Sequence, residues 1–352
     1  MVNREITANN HPLKGYLFAM TAVLIWSGFI LVSRQGGLSA LTAYDIIAVR
    51  YLTCAAILTP VWFWLKPFNL FNPKLIISSL IGALLYALFA FNGFQTTPAS
   101  HTAILLPGLL PVLVALFSAG LLKERLQWTR LAGIAIISSG IALLFFQQVT
   151  SNQLTLGHAW VIMAGVCWAF YSVLLTRWQI NPWQATASLA IITCVIYLPV
   201  YILFLPKTIG LDTLMQLFNG TYDTDVAQSS LVTEILRQAI YQGILATIIQ
   251  MLCYVQAVKL IGPSNMGSMM AIVPIISGLG AVLIFDEAFN SVLLITLILV
   301  SLGVWLANRK ATNLSSNRQT HHSNNRKTDQ PTNQPTVQST LTLEEGNPHA
   351  IR

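Results

Sequence analysis

Along the chain, apolar positions gather into long runs instead of alternating with polar ones. The runs fall at approximately 15–35, 44–65, 74–95, 101–122, 128–147, 157–178, 184–205, 238–259, 264–285 and 291–309, separated by polar or Pro/Gly-rich breaks. A bilayer core about 30 Å thick takes roughly 20 residues of helix, so each run predicts one transmembrane helix. Barrel strands would show a two-residue alternation that is missing here, and in lipid the backbone polar groups must be satisfied within the segment. The pattern therefore predicts an all-α integral membrane protein of ten transmembrane helices.

Composition agrees with that reading and sharpens it. Of 352 residues 55% are hydrophobic and 9% charged, with mean hydropathy +0.64, whereas a soluble domain carries about a quarter charged residues. Residues 311–352 hold 7 of the 31 charged side chains (19 basic plus 12 acidic), leaving the remainder poorer still. This last stretch is rich in Asn, Gln, Ser, Thr and Pro and cannot offset its ordering entropy by burial. A disordered polar cytoplasmic tail is expected over 310–352. The four cysteines, Cys54, Cys167, Cys194 and Cys253, lie inside apolar runs without metal or redox spacing and read as small buried residues. No metal or other cofactor is called for. His321 and His322 in the tail read as solvated. The first run lacks a small-x-small cleavage site at its end, so it reads as a retained span.

Charge adds orientation. Arg4, Lys14, Lys66, Lys74, Lys123, Arg125, Arg130, Arg177, Lys259, Arg309 and Lys310 fall on one side of a ten-span layout, and Arg34, Lys207 and Arg237 on the other. Basic residues favour the cytoplasmic side, so both termini are expected in the cytoplasm and the protein in the cytoplasmic (inner) membrane. The net charge of +7 comes from single residues in short loops and does not imply a nucleic-acid partner. The expected partners are the lipid bilayer and a small-molecule substrate.

The two halves repeat. An offset of 142 carries Gly15, Ala22 and Trp26 onto Gly157, Ala164 and Trp168, and one of 163 carries Pro111, Glu124, Leu131, Ser138, Gly140 and Leu143 onto Pro274, Glu287, Leu294, Ser301, Gly303 and Leu306. Each half holds five spans, an odd number, so the second enters the membrane upside down relative to the first. Two inverted five-helix repeats, 15–147 and 157–309, follow a cytoplasmic N-terminus at 1–14, with an outer loop at about 206–237. Such repeats are the plan of many secondary transporters, whose substrate site lies near the midplane between the halves.

These features carry a resemblance to the drug/metabolite transporter superfamily, and within it to the ten-helix family with two EamA domains. The marks are Gly15 with Trp26, Ser27 and Gly28, the pair Arg50 and Tyr51, and the P-x12-E segments Pro111–Glu124 and Pro274–Glu287. The resemblance covers about 12–309. It implies a central cavity between the halves and export of amino acids or other small metabolites. The second half departs from the first by placing Ile192 where Arg50 would project at the first offset.

Several residues then become candidates for the substrate cavity. Pro111 and Pro274, near the centres of matched spans, each remove a helix hydrogen bond and free a carbonyl four residues earlier, and matched helix breaks point to a transporter site or serve packing alone. Trp26 and Trp168 lie about eleven residues into their spans, deeper than the interface Trp prefers. They either pack or lend an indole N–H to a cavity. Gln250, with Tyr254 one turn on, needs a partner at mid-membrane, either on a neighbouring helix or in the cavity, and Tyr86 sits at the corresponding depth. Arg50, about two turns in, either pairs with Asp45, Asp286 or Glu287 or holds a substrate anion. Glu124 and Glu287 read as caps for the helix that follows each, with gating or proton coupling as the alternative.

The leading functional expectation is a secondary transporter exporting a small organic metabolite, such as an amino acid or related compound, by alternating access. It is not expected to be an enzyme. A membrane-embedded enzyme would need clustered acids, bases and nucleophiles, and His101 and His158 sit at separate helix starts. An exchanger of phosphorylated or nucleotide sugars would need several basic residues deep in the membrane, where only Arg50 lies.

Overall fold

A computed structural model describes residues 12–65, 67–124, 126–210, 215 and 226–309. Within them are ten helices long and apolar enough to cross a membrane: α1 Pro12–Leu38, α2 Ala43–Trp64, α3 Pro73–Thr96, α4 Ala99–Leu121, α5 Trp128–Thr150, α6 Leu156–Arg177, α7 Pro182–Phe204, α8 Ser230–Ile261, α9 Pro263–Phe285 and α10 Ser291–Asn308. No strand occurs among the described residues. The tail at 310–352, the first eleven residues and most of 211–225 lie outside them. An even number of spans puts Pro12 and Asn308 on the same face, called here the terminal face; the other is the far face.

The helices start where the sequence supplies caps. Thr42 and Asp45 form a capping box at the start of α2, and Asn181 with Gln184 forms the matching box at α7, each satisfying backbone N–H groups that a helix start leaves open. These boxes are 139 residues apart, as are Pro60 and Pro199 inside the two helices. The register of this helix pair thus differs by three from the offset of 142, so the counterpart of Arg50 is Leu189 rather than Ile192.

The inverted repeat is visible in packing. Gly15 lets α1 close on the end of α8, where a Cβ would stand 2.5 Å from the Ile261 side chain; Gly157 lets α6 close on the end of α3, where a Cβ would meet Thr96 and Thr97. The matched glycines therefore serve matched crossings, α1 with α8 and α6 with α3. Matched spans α4 and α9 run antiparallel, because Glu287, two residues past α9, reaches the first turn of α4. The remaining pairs α2 with α7 and α5 with α10 also pack against one another.

Two features were not expected from the pattern. The chain is already helical from Val226, within the stretch anticipated as the outer loop. Its polar residues hid this helix from hydropathy, and they are satisfied internally: Glu234 accepts from Arg237 and from Gln238 at 2.7 Å, and Gln238 donates to the Val32 carbonyl at 2.9 Å. Second, the corresponding spans α3 and α8 both pass through π-helical stretches, Leu80–Leu85 and Ala239–Ile249. Such wide turns are rare and tend to occur at functional sites; here each comes just before residues that face the central cavity.

Candidate functional site

One cavity of about 910 Å³ is walled by both repeats. At its mouth stand Glu124, Gln127, Arg130, Thr176, Ser264 and Arg309, all at α-helix ends or loops of the terminal face. The opposite end stops at Arg50, Phe29 and Tyr86. The cavity is thus open to one face and shut toward the other.

Of the residues singled out from sequence, Trp26, Arg50, Tyr86, Pro111, Trp168, Gln250 and Tyr254 all border this space. The two prolines differ. Pro111 lies within α4, which continues as α-helix through both Pro107 and Pro111. Pro274 is buried off the cavity, and the break it causes comes just before it, where α9 tightens into a 3-10 turn over Met270–Ile272. Met270 itself reaches the cavity wall. Removing the amide hydrogen at Pro274 frees backbone one turn earlier, so the exposed feature is the turn and not the proline.

The deep wall is aromatic. The Tyr86 and Trp168 rings lie 5.0 Å apart and Trp168 and Tyr171 5.4 Å apart, each pair tilted. Gly82, in the π-helical stretch of α3, makes room for the Tyr171 ring. Among the described residues the Gln250 side chain has no hydrogen-bond partner within the protein; it faces the cavity, not a neighbouring helix. Thr247 and Tyr171 also border the cavity. Neither was singled out from sequence, since a threonine or tyrosine in an apolar span carries no signal of its own.

Asp45 does not pair with Arg50. Its carboxylate accepts the Thr42 N–H at 2.8 Å, the Tyr201 hydroxyl at 2.6 Å and the Thr208 N–H at 3.0 Å, so it fastens the end of α7 to the start of α2. Arg50 instead donates to Gln242 Oε1 at 3.4 Å and lies 5.5 Å from the Phe29 ring centroid. Gln242 in turn donates to Ser33 Oγ at 2.9 Å. Gln238 and Gln242 share a face of α8 four residues apart, a spacing that could have revealed this polar seam.

The far-face closure is made by backbone recognition. Glu287 accepts from Ala99 N–H at 2.6 Å and Ser100 N–H at 2.9 Å, capping α4, whose own N-cap residue Pro98 offers no side-chain oxygen. The expectation that Glu287 would cap the following helix is corrected: Asn290 caps α10. Arg34 closes the same face by donating to the carbonyls of Phe94 and Gln95 at 2.7 and 2.8 Å, at the end of α3. Glu124, the repeat partner of Glu287, does not cap the following helix either: α5 starts after Gln127 without a side-chain cap, and Glu124 is at the open mouth, 3.9 Å from Arg130.

His101 and His158, far apart in sequence, meet at 3.1 Å, with Gln148 3.4 Å from His101. His158 also serves as the capping partner of Thr155. The group ties α4, α5 and α6 together near the far face, outside the cavity. No cluster of three or more metal-ligating side chains occurs among the described residues.

Comparison with known proteins agrees with this architecture. The model of a family described as the EamA-like transporter family matches residues 13–146 and again 155–309. A solved crystal structure of a protein, 20% identical, shares the fold with a TM-score of 0.53 over 87% of this chain and 98% of its own. No curated protein matches the chain.

Proposed function

Because the chain belongs to the EamA-like transporter family, and is thus a multi-pass membrane transporter, we propose that it exports a small organic metabolite, such as an amino acid or related compound, from the cytoplasm. The observation that carries this reading is the cavity between the two repeats, open at the terminal face and sealed at the far face by Glu287 and Arg34. Inverted repeats place a substrate site between them, and rocking of one half against the other exposes it alternately. The distribution of basic residues supports a cytoplasmic terminal face in the cytoplasmic membrane. Two of the three basic exceptions are occupied structurally: Arg34 at the end of α3, and Arg237 on Glu234. With that orientation the cavity opens inward, the state that loads an exporter. Trp26, Tyr86, Trp168, Gln250 and Tyr254 are the proposed substrate contacts.

Expression in a transport-deficient bacterial host, challenged with amino acids, their toxic analogues and cationic drugs, tests this. Growth protection against one chemical class, with matching efflux from vesicles, is expected. Failure of every compound to cross in vesicles, together with chemical conversion of one of them, would favour an enzyme.

A further inference from the structure

We propose that the closed end of the cavity is a site for an organic monoanion, with Arg50 receiving a carboxylate and the aromatic wall receiving a planar apolar body. This rests on the transporter reading and narrows its cargo to the related compounds that carry a carboxylate without an amino group, leaving amino acids themselves out.

Arg50 is 6% exposed and lines the cavity. A guanidinium stays protonated in any protein setting, so a full positive charge is held inside the span. A charge at this depth ordinarily has a partner. The ion pairs found among the described residues are Arg130 with Glu124 and Arg237 with Glu234; Arg50 is in neither. Among the described residues, the carboxylates considered as partners do not serve: Asp45 is committed to Tyr201 and Thr208, Glu287 to the start of α4, and Asp286 is exposed just past α9 and in neither ion pair. What Arg50 has is one long hydrogen bond to an amide oxygen and two aromatic neighbours, Phe29 and Tyr51. These steady a cation without neutralising it, and its Nε has no acceptor among the described residues. The missing counter-charge can be delivered through the cavity by the cargo.

Gln242 positions the guanidinium. Its amide nitrogen is held by Ser33, which turns its oxygen toward Arg50. The π-helical stretch Ala239–Ile249 that bears Gln242 is the same one that presents Thr247 to the cavity.

The wall also argues against a cation or a zwitterion. Among the described residues Glu124 is the one carboxylate on the lining, and it stands at the mouth beside Arg130. At the closed end a cargo ammonium would find Arg50 and no carboxylate. The tilted rings of Tyr86, Trp168 and Tyr171 offer apolar faces to a flat body. The cargo chemistry is therefore an aryl or similarly planar carboxylic acid without a compensating amine.

Four probes sharing one ring separate the charges: phenylacetate (anion), phenylacetamide (neutral), phenylalanine (zwitterion) and phenethylamine (cation), titrated calorimetrically into the purified full-length protein in lipid nanodiscs. Phenylacetate is expected to bind at least tenfold tighter than each of the other three. Arg50→Gln should erase that preference and Arg50→Lys keep part of it. Should Arg50→Gln fold poorly, Gln242→Glu serves: it gives Arg50 an internal carboxylate, so the protein should melt no lower than wild type yet lose the anion preference. Equal binding of the four probes, no binding of phenylacetate, or an intact preference in Gln242→Glu overturns the proposal. Vesicle efflux of phenylacetate alongside the compounds of the growth panel keeps the two readings apart, because transport without anion preference removes only this inference, and anion binding with no transport of phenylacetate or any panel compound removes only the exporter.

Discussion

The Glu287 carboxylate sits 2.6 Å from the Ala99 N–H, so a residue at the end of the ninth span finishes the helix start of the fourth. Charged acceptors at a helix N-terminus satisfy orphan N–H groups and oppose the dipole, together about 1–2 kcal/mol. Glu287→Ala should therefore loosen the far-face closure. In a background without the native cysteines, Thr247→Cys should react faster with an impermeant thiol reagent added from the far face once Glu287 is removed. Unchanged labelling would assign the closure to Arg34 and helix packing.

How much of this could be read from the chain depends on the range of the interactions. The ten spans were legible because lipid forces each apolar run to satisfy its own backbone. The antiparallel pairing of matched spans followed from the odd number per repeat. The long-range partners Tyr201 of Asp45, Ala99 of Glu287 and His158 of His101 were not legible, since each is more than fifty residues away and several carboxylates or imidazoles could have filled each role. The start of α8 was missed because Glu234, Arg237 and Gln238 lower the hydropathy where they meet one another. Cavity residues that are unusual for their depth, such as Trp26 and Gln250, stood out; Thr247 and Tyr171 did not.

A tight crossing of α5 and α10 gives a stability prediction. A Cβ on Gly133 would lie 2.6 Å from Ala307 N and 2.7 Å from the Gly303 carbonyl, both backbone atoms that cannot swing aside. Gly133→Ala should destabilise by about 1–3 kcal/mol, the range for overpacking, seen as a lower melting temperature in detergent. Gly120, where a Cβ would have nothing within 4 Å among the described residues, is the control, and Gly120→Ala should stay within about 0.5 kcal/mol of wild type. Equal melting of both variants would mean that the two helices can separate without cost.

Orientation is tested at Ser151, just past α5 on the far face, and Gln127, just before α5 at the cavity mouth. Single cysteines in a cysteine-free background should react from outside the cell at Ser151 and from inside at Gln127. Reversal of that pattern would put the cavity mouth on the outer surface and turn the loading state of an exporter into that of an importer.

The cavity itself is tested by Gln250. Its amide has no protein partner among the described residues and lines the space that Trp26 also borders. If both contact the cargo, Gln250→Leu should weaken transport while the protein stays folded, because leucine suits the apolar surroundings and offers no hydrogen bond. An amide bonded across helices contributes about 0.6 kcal/mol to stability in a comparable membrane bundle; a cavity-facing one loses only water, so Gln250→Leu should melt within that margin. Melting discriminates weakly at such magnitudes, and cargo affinity is the deciding measurement. In a double-mutant cycle with Trp26→Phe, two residues touching one ligand should couple by more than about 0.5 kcal/mol, whereas independent sites add. Trp26→Phe removes the indole N–H but keeps a ring, so a coupled loss would point to the polar edge of the cargo lying between the two side chains. Wild-type affinity in both single variants would place Gln250 and Trp26 outside the contact zone and leave Arg50, with the rings of Tyr86 and Trp168, as the part of the cavity that holds the cargo.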